Sequence, residues 1–474
     1  MKTSGFSATV RAAALLLLAA SPGFAAAADF DGSQLGLVWA IPFAGLLLSI
    51  ALMPLLVPAF WHHHFGKISA AWTLAFFLPF TYVYGVQAAG AGLVHALLAE
   101  YIPFIILLTA LYTVAGGIYI RGNLHGSPAL NCGILMIGVV LASFMGTTGA
   151  SMLLIRPLIR ANDNRRYKAH LVVFFIFLVS NVGGSLTPLG DPPLFLGFLK
   201  GVDFFWTARY IFPETVFMVV SLLLIFYVVD NFYFRKEGVL PFDPTPDAPR
   251  LGFDGAANFW LLGAVAGLVL MSGVWKTSVA FDVAGTVVGL PGIVRDAGLL
   301  VITLVSLGIT AKSVHESNQF SWAPMLEVAK LFIGIFLTII PVIVMLKAGV
   351  DGPFTMVLTS ITRADGSPDP AMYFWATGIL SAFLDNAPTY LVFFNTAGGD
   401  AQVLMTTLAP TLAAISGGAV FMGAMTYIGN APNLMVKAVA EDRGVKMPSF
   451  FGYMAWSGAI LTPLFITMTF IWFK

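Results

Sequence analysis

The feature that most constrains the fold is the segment from Ser180 to Pro193, which reads SNVGGSLTPLGDPP and lies between two apolar stretches. Its three glycines and three prolines exclude a continuous helix, because glycine weakens a helix and proline lacks a backbone donor and clashes with the preceding turn. In a bilayer, an interrupted backbone is tolerated only where protein or a polar cavity covers it. The segment therefore predicts a broken helix around a polar site that includes Asp191.

Composition places this segment in a membrane. The chain has 474 residues, of which 58% are hydrophobic and 10% are charged, and its net charge is +1. Soluble domains carry about 25% charged residues. We therefore predict a polytopic membrane protein with no nucleic-acid partner. An Asp at bilayer depth costs about 2.5–3.5 kcal/mol, so Asp191 is a candidate functional residue.

A second stretch resembles the first. The segment 186–194 aligns with 425–433, and 144–150 aligns with 383–389, both at an offset of 239 residues. Two pairs of motifs at one offset indicate an internal duplication. Interrupted apolar segments at corresponding places in two halves are the best sequence indication of a transporter binding site.

These patterns predict an all-α polytopic membrane protein made of two five-span halves in inverted orientation, because each half has an odd number of spans. We predict a signal peptide at 1–28, which is cleaved or, as the alternative, retained as an anchor. The first repeat is predicted at 29–234, with a re-entrant hairpin at about 129–160 and a broken helix at 167–200. A cytoplasmic linker at 235–257 leads to the second repeat at 258–474, with a hairpin at about 372–397 and a broken helix at 408–440.

The distribution of basic residues predicts the orientation. With the mature N-terminus outside, 14 Lys and Arg residues would face the cytoplasm and seven would face outside. This asymmetry follows the positive-inside rule. In this orientation the first hairpin enters from the cytoplasm, the second enters from outside, and the protein lies in a bacterial-type inner membrane.

Each half supplies one carboxylate to the predicted site, at different places. Asp191 lies in the first broken helix, where the second half has Asn430. Asp385 lies at the tip of the second hairpin, where the first half has Gly146. The hydroxyls, amides and free carbonyls of these segments form an oxygen-rich set suited to Na⁺. The alternative role for both acids is to cap the N-termini of half-helices.

A carboxylate in this setting predicts ion exchange. Without a cation, burial favours the protonated carboxyl, whereas bound Na⁺ favours the anion. Proton and Na⁺ then compete for the same oxygens, and the competition is reciprocal. Asp191 and Asp385 are the candidate proton-coupling residues.

Other charged residues give weaker indications of function. Glu327 and Lys330 are three residues apart, and we predict that they form an ion pair supporting the scaffold, with pairing of Lys330 to Asp191 or Asp385 as the alternative. His62-His63-His64 is interpreted as an interfacial loop rather than a metal site. Further assignments are a boundary position for Glu100 and Asp230, and contact with lipid headgroups for Arg156 and Arg160.

The broken segments and the two tips, Gly146 to Ser151 and Asp385 to Thr389, resemble the ion transporter superfamily over nearly the whole chain. The resemblance is closest to NhaD-type sodium/proton antiporters and the "putative citrate transport" branch. It implies an inverted repeat, sodium sites at the hairpin tips, a homodimer and elevator-like alternating access. Carried over by position, it implies one sodium site at Thr147, Thr148, Asn181, Gly184 and Asp191, and a second at Asp385, Asn386, Thr389, Asn430 and Asn433.

The tips depart from the dicarboxylate symporters of this superfamily, which have a neutral Ser-Asn-Thr at each tip. Here they read Gly-Thr-Thr-Gly and Asp-Asn-Ala-Pro-Thr, with no Arg to bind a carboxylate. We therefore expect a secondary Na⁺(Li⁺)/H⁺ antiporter, with a sodium- or proton-coupled citrate or dicarboxylate transporter as the alternative. The expected ligands are Na⁺ or Li⁺ and the proton, with citrate or a dicarboxylate under the alternative, and no cofactor is expected besides Na⁺ as the transported or coupling ion. An intramembrane enzyme is disfavoured, because the sequence has no cofactor fingerprint and no paired catalytic acids in one half.

Overall fold

The computed structural model describes residues 31–122, 124–240, 242 and 252–474. The predicted signal peptide and the centre of the predicted linker lie outside the described residues. The fold is all-α and polytopic, as predicted.

The described part of the first half contains nine α-helices: α1 Ile41–Leu56, α2 Pro58–Tyr84, α3 Val86–His95, α4 Ile102–Gly116, α5 Pro128–Ala161, α6 Ala169–Leu178, α7 Pro192–Leu199, α8 Trp206–Tyr210 and α9 Phe212–Glu237. A π-helical segment, Ala96–Tyr101, joins α3 to α4. Short 3₁₀ turns lie at Gly32–Gln34, Leu37–Ala40 and Val182–Ser185.

The second half contains twelve: α10 Ala257–Val274, α11 Leu290–Ile309, α12 Lys312–Ser317, α13 Ala323–Thr338, α14 Ile340–Lys347, α15 Thr355–Ser360, α16 Pro370–Phe383, α17 Asn386–Thr396, α18 Ala401–Met405, α19 Ala409–Met422, α20 Ala431–Asp442 and α21 Phe450–Trp472. Two more 3₁₀ turns lie at Gly349–Asp351 and Gly423–Met425. Two antiparallel ribbons pair β1 Tyr119–Arg121 with β2 Gly252–Asp254, and β3 Ala280–Val283 with β4 Thr286–Gly289.

Eight helical stretches among the described residues are long and apolar enough to cross a membrane. One of these stretches, Pro128–Ala161, covers the first hairpin predicted from the sequence. The two broken helices contribute shorter apolar stretches, Ala169–Ser185 and Ala409–Met425.

The stretch α5 is a hairpin rather than a straight span. At Gly146 the backbone leaves the helical region, with φ 80° and ψ 151°, a conformation that glycine adopts readily. Asn131 and Asn162, at opposite ends of α5, donate hydrogen bonds to each other over 3.1 and 2.9 Å. A straight helix would separate these two side chains by about 46 Å, so the two arms fold back on each other.

The second hairpin is formed by α16 and α17. Asp369 caps α16, and the chain reverses at Leu384 and Asp385 before α17 begins. The rings of Tyr373 and Phe393 meet edge to face at 6.1 Å, which places the two arms side by side.

The two hairpins meet their broken helices in the same way. The Thr187 hydroxyl donates to the carbonyl of Ser143, and the Thr426 hydroxyl donates to the carbonyl of Ala382. Both donor and acceptor shift by the 239-residue offset found in the sequence. The duplicated motifs therefore adopt matching local geometry.

The helices form two groups. In the first, α13 packs against α2, and α4 packs against α10 and α11. In the second, α16 packs against α19, α17 against α7, and α5 against α20. The hairpin tips and both broken helices belong to the second group, and α4 packs against α5 where the groups meet.

The three histidines following Trp61 are not in a loop. His62, His63 and His64 lie inside α2, where His63 and His64 each contact the carbonyl four residues earlier. The loop prediction was wrong because the run between Pro58 and Gly66 continues the helix without a break.

A buried charge network closes the base of the first hairpin. The Asp230 carboxylate pairs with Arg165 at 2.7 Å and His170 at 2.8 Å, and accepts a hydrogen bond from Asn131 at 2.9 Å. The side chains of Arg165 and Asp230 are fully buried. Asp230 is therefore more than a boundary residue, because it joins α9 to both the hairpin and the start of α6.

We expect Asp230→Ala to destabilise the protein by about 3–5 kcal/mol, because it removes the nearer counter-charge of the buried Arg165, at 2.7 Å, and leaves only Glu237 at 3.4 Å. The measurement is the thermal unfolding midpoint of the purified protein in detergent. Asp254→Ala is the control, because the Arg121–Asp254 pair is exposed and contributes about 0–1 kcal/mol. Equal midpoints for the two variants would contradict this assignment.

Candidate ion-binding site

Asp191 lies at the centre of the molecule, at the start of α7, and is 1% exposed. Its carboxylate accepts hydrogen bonds from Thr147 and Asn430, each at 3.0 Å, and from the Asn386 amide. The three donors come from the first hairpin, the second broken helix and the second hairpin. All four interrupted segments therefore converge on one carboxylate.

A pair of asparagines joins the two broken helices beside it. Asn181 donates to the side-chain oxygen of Asn433 at 2.8 Å and accepts from Asn430 at 3.3 Å. Asn433 donates to the carbonyls of Gly423 and Thr426, each at 2.9 Å. These bonds satisfy backbone groups that the helix breaks release, and they fix the two breaks against each other.

Glycines allow the close approach of the backbone. The Thr147 amide donates to the Gly190 carbonyl at 2.8 Å, so the hairpin tip contacts the broken helix directly. A Cβ at Gly184 would lie 2.6 Å from the Thr147 methyl and 3.0 Å from the Asp191 Cβ. Gly184 therefore leaves room for Thr147 at the site, and a larger residue at position 184 would displace Thr147.

Asp385 is the second carboxylate of the site. One of its oxygens accepts from the Ala387 amide at 3.1 Å, so it caps α17. The capping role considered from the sequence is thus realised. Asp385 also lines the same cavity as Asp191 and is close enough to interact with it electrostatically.

The two carboxylates face a cavity of about 110 Å³. Its polar side chains include Thr147, Thr148 and Asn430, and most of the remaining wall is apolar. No Lys, Arg or His is among its lining residues. The side-chain oxygen of Asn386 is buried and has no hydrogen-bond partner. The site thus contains two acids and an unused oxygen acceptor, and its lining contributes no positive side chain.

Two other buried acids are paired with basic side chains. Asp230 is paired with Arg165 and His170, and Glu100 is paired with Lys200. Within the described part of the chain, neither Asp191 nor Asp385 forms an ion pair with a basic side chain. The central carboxylates are therefore available to an external cation.

The structure groups the candidate residues differently from the sequence-based interpretation. That interpretation divides ten residues between two sodium sites, whereas Thr147, Asp191, Asn386, Asn430 and Asn181 form one connected cluster. Asn433 acts on backbone carbonyls, and the Thr389 hydroxyl donates to the Asp385 carbonyl within its own helix turn. Thr148 contributes to the cavity wall.

Two contacts beside the cluster were not predicted from the sequence. Ser151 and Ser180 hydrogen-bond each other at 2.9 Å, which joins the hairpin to the start of the first break. Tyr112 and Met325, from α4 and α13, also line the cavity. Pairing of the duplicated motifs could have indicated the first contact, whereas the second depends on packing between distant spans.

The predicted ion pair between Glu327 and Lys330 is not formed. Glu327 faces Trp61 and His62 of α2, and the Lys330 ammonium lies 5.5 Å from the centre of the Phe65 ring. The two side chains share a helix face, but α2 offers each of them a different partner. The alternative pairing of Lys330 with a central carboxylate is also absent from the contacts of the described residues.

The arginines of the first hairpin were assigned wrongly to the lipid surface. Arg156 is 8% exposed and donates to Gln319 at 3.1 Å. Arg160 donates to the Tyr119 hydroxyl and the Ile120 carbonyl. Both guanidinium groups bind protein because α5 is enclosed by the loops that follow α4 and α12.

Comparison with known proteins agrees with this architecture. A family model described as "Putative citrate transport" matches residues 32–473. The chain belongs to this family. It is also 23% identical over 366 residues to uncharacterized transporters of Mycobacterium bovis and Mycobacterium tuberculosis, covering 74% of this chain and 78% of each relative. The protein is thus a multi-pass membrane transporter.

We expect Gly184→Ala to lower the thermal unfolding midpoint and to displace Thr147 from Asp191, because the added methyl would overlap the Thr147 methyl. The cost of such overpacking is about 1–3 kcal/mol. Gly267→Ala in α10 is the matched control, since nothing lies within 4 Å of its added methyl. An unchanged midpoint in Gly184→Ala would show that the tip is not closely packed.

Proposed function

We propose that this transporter exchanges Na⁺ or Li⁺ for protons across the bacterial inner membrane, as a secondary antiporter. The observation that carries the proposal is that Asp191 and Asp385 line one cavity without a basic side chain. A buried anion without a counter-charge is costly, whereas a paired one is tolerated. A small cation that enters the cavity would supply the missing charge.

The oxygen donors suit an alkali cation. The carboxylates of Asp191 and Asp385, the hydroxyls of Thr147 and Thr148, and the unpartnered oxygen of Asn386 lie in or beside the cavity. Hard cations prefer carboxylate, hydroxyl and carbonyl oxygens. Cysteine and histidine are not among these donors, and no cluster of metal-ligating His, Cys, Asp or Glu occurs in the described chain. The arrangement therefore favours Na⁺ or Li⁺ over a transition metal.

Exchange follows from competition at Asp191. Its three donors, Thr147, Asn386 and Asn430, orient both carboxylate oxygens. A proton and a cation each neutralise the same group, so binding of one releases the other. If the site is exposed to the two sides in turn, this competition moves protons against Na⁺. An inverted repeat and a homodimer are part of the same proposal.

The second candidate is sodium- or proton-coupled transport of citrate or a dicarboxylate. The observation that favours it is the description of the matching family as citrate transport. In this case bound Na⁺ would neutralise Asp191 and Asp385 before the organic anion enters. The acidic lining of the cavity makes a cation cargo the better-supported choice.

The test uses a pH-sensitive dye in everted membrane vesicles with a set proton gradient, to which NaCl, LiCl, KCl or citrate is added in turn. We expect NaCl or LiCl alone to cause proton efflux from the vesicles. Asp191→Asn and Asp385→Asn should each reduce the rate about tenfold or more, because each removes a carboxylate for which the proton and the cation compete. Asp254→Asn, a change in an exposed pair, should retain the wild-type rate.

Two outcomes would contradict antiport. Wild-type proton flux in Asp191→Asn would exclude the competition mechanism. No proton flux on addition of NaCl, LiCl or KCl, together with Na⁺-dependent uptake of labelled citrate, would establish the symport alternative and make the hairpin tips an anion site.

A further inference from the structure

A second and larger cavity, of about 660 Å³, lies away from the central carboxylates. Five ionisable side chains line it, together with an apolar wall from α13 and α14: Asp31, His95, Glu100, Lys200 and Lys347. Below it is called the Glu100 cavity, and the central one is called the Asp191 cavity. From the positive-inside pattern, Lys200 and Lys347 belong to the side predicted to face outside.

The two cavities follow one another along three stretches of chain. On Val86–Gly116, the Glu100 cavity is lined by Ala96 and Glu100, and the Asp191 cavity by Leu107, Leu108 and Leu111. On Ala323–Lys347, the Glu100 cavity is lined by Ile340 and Ile343, and the Asp191 cavity by Met325 and Val328. Around α7, Lys200 lines the Glu100 cavity, whereas Asp191 and Phe195 line the Asp191 cavity. The cavities therefore occupy successive levels of the same helices.

Three phenylalanine rings lie between these levels. Phe104 stacks on Phe332 at 4.8 Å and meets Phe336 edge to face at 5.7 Å. Phe332 lines the Asp191 cavity and Phe336 lines the Glu100 cavity. The three rings thus separate the two cavities, and in this conformation the carboxylates of Asp191 and Asp385 line the Asp191 cavity only.

An ion pair crosses the junction of the two helix groups at the Glu100 cavity. Glu100 lies in the π-helical segment between α3 and α4, and its side chain is 7% exposed. Its carboxylate pairs with the ammonium of Lys200, which follows α7. π-Helical segments are rare and occur frequently at functional sites. Here the segment lies on the first helix group and its partner on the second.

The helix α7 connects this ion pair directly to the central site. Asp191 immediately precedes this helix and Lys200 immediately follows it, and the eight residues between them span about 12 Å. A rigid short helix transmits a shift at one end to the other. Movement of Asp191 relative to α4 must therefore carry Lys200 away from Glu100.

We propose that Glu100 and Lys200 are positioning residues for transport: their ion pair latches α7 to the π-helical segment and holds the Glu100 side closed while the Asp191 cavity is open. The proposal rests on the protein being a transporter and needs neither Na⁺ nor citrate as its cargo. Breaking the latch shifts the population toward the conformation in which the Glu100 side opens. A charge pair that forms in only one state shifts an equilibrium by its differential free energy.

Cysteine labelling of purified protein in detergent tests the latch without any ion flux. In a Cys132→Ala background, Ile340→Cys reports on the Glu100 cavity and Val328→Cys on the Asp191 cavity, since both side chains are partly exposed on one helical stretch. With Glu100→Gln or Lys200→Gln, we expect maleimide labelling at position 340 to accelerate about fivefold or more, and labelling at position 328 to slow by a similar factor.

Two controls separate a latch from a merely structural contact. Lys347→Gln changes a charge in the same cavity that forms no ion pair with a described carboxylate, and both labelling rates should stay at their original values. The exchanged pair Glu100→Lys with Lys200→Glu should restore the original pattern. Faster labelling at both positions, which indicates loosened packing, or unchanged labelling at both, would overturn the proposal. Because no ion gradient is used, failure here is distinguishable from failure of antiport.

Discussion

The structure depends on one electrostatic constraint: a carboxylate buried inside a membrane protein with no basic side chain among the described residues to neutralise it. Asp191 is held by three neutral donors from three different segments. These hydrogen bonds replace part of the lost hydration and fix the orientation of both oxygens, but they bring no full charge. The negative charge that remains is neutralised by the proton or cation that enters the adjoining cavity, so the site is suited to exchange rather than to permanent occupancy.

That arrangement requires helices that stop inside the membrane. An intact helix satisfies its own backbone groups and presents only side chains, whereas a break releases carbonyls and amides that need partners. Asn433 and the hydroxyls of Thr187 and Thr426 supply those partners, and glycines at 184 and 190 let the segments approach. The two threonine contacts recur 239 residues apart, which is what an inverted repeat would produce and is part of our proposal.

Local patterns in the sequence predicted the interrupted segments, both hairpin tips and the two carboxylates, because glycine, proline and buried Asp have strong local meanings. Partners contributed by distant spans were not predictable. Glu327 and Lys330 share a helix face, yet α2 gives each another neighbour. Arg156 and Arg160 were expected at lipid, yet loops from elsewhere enclose them. The pairing of Asp230 with Arg165 and His170 also needs tertiary packing, since 60 residues separate Asp230 from His170.

The most direct test of the competition at Asp191 is proton release by the purified protein in weakly buffered detergent solution when NaCl is added. If the proton and Na⁺ compete at Asp191, NaCl or LiCl alone will acidify the solution in proportion to the protein present, and Asp191→Asn will abolish the release. Binding of Na⁺ with no proton release, or a response only when citrate accompanies Na⁺, would contradict it.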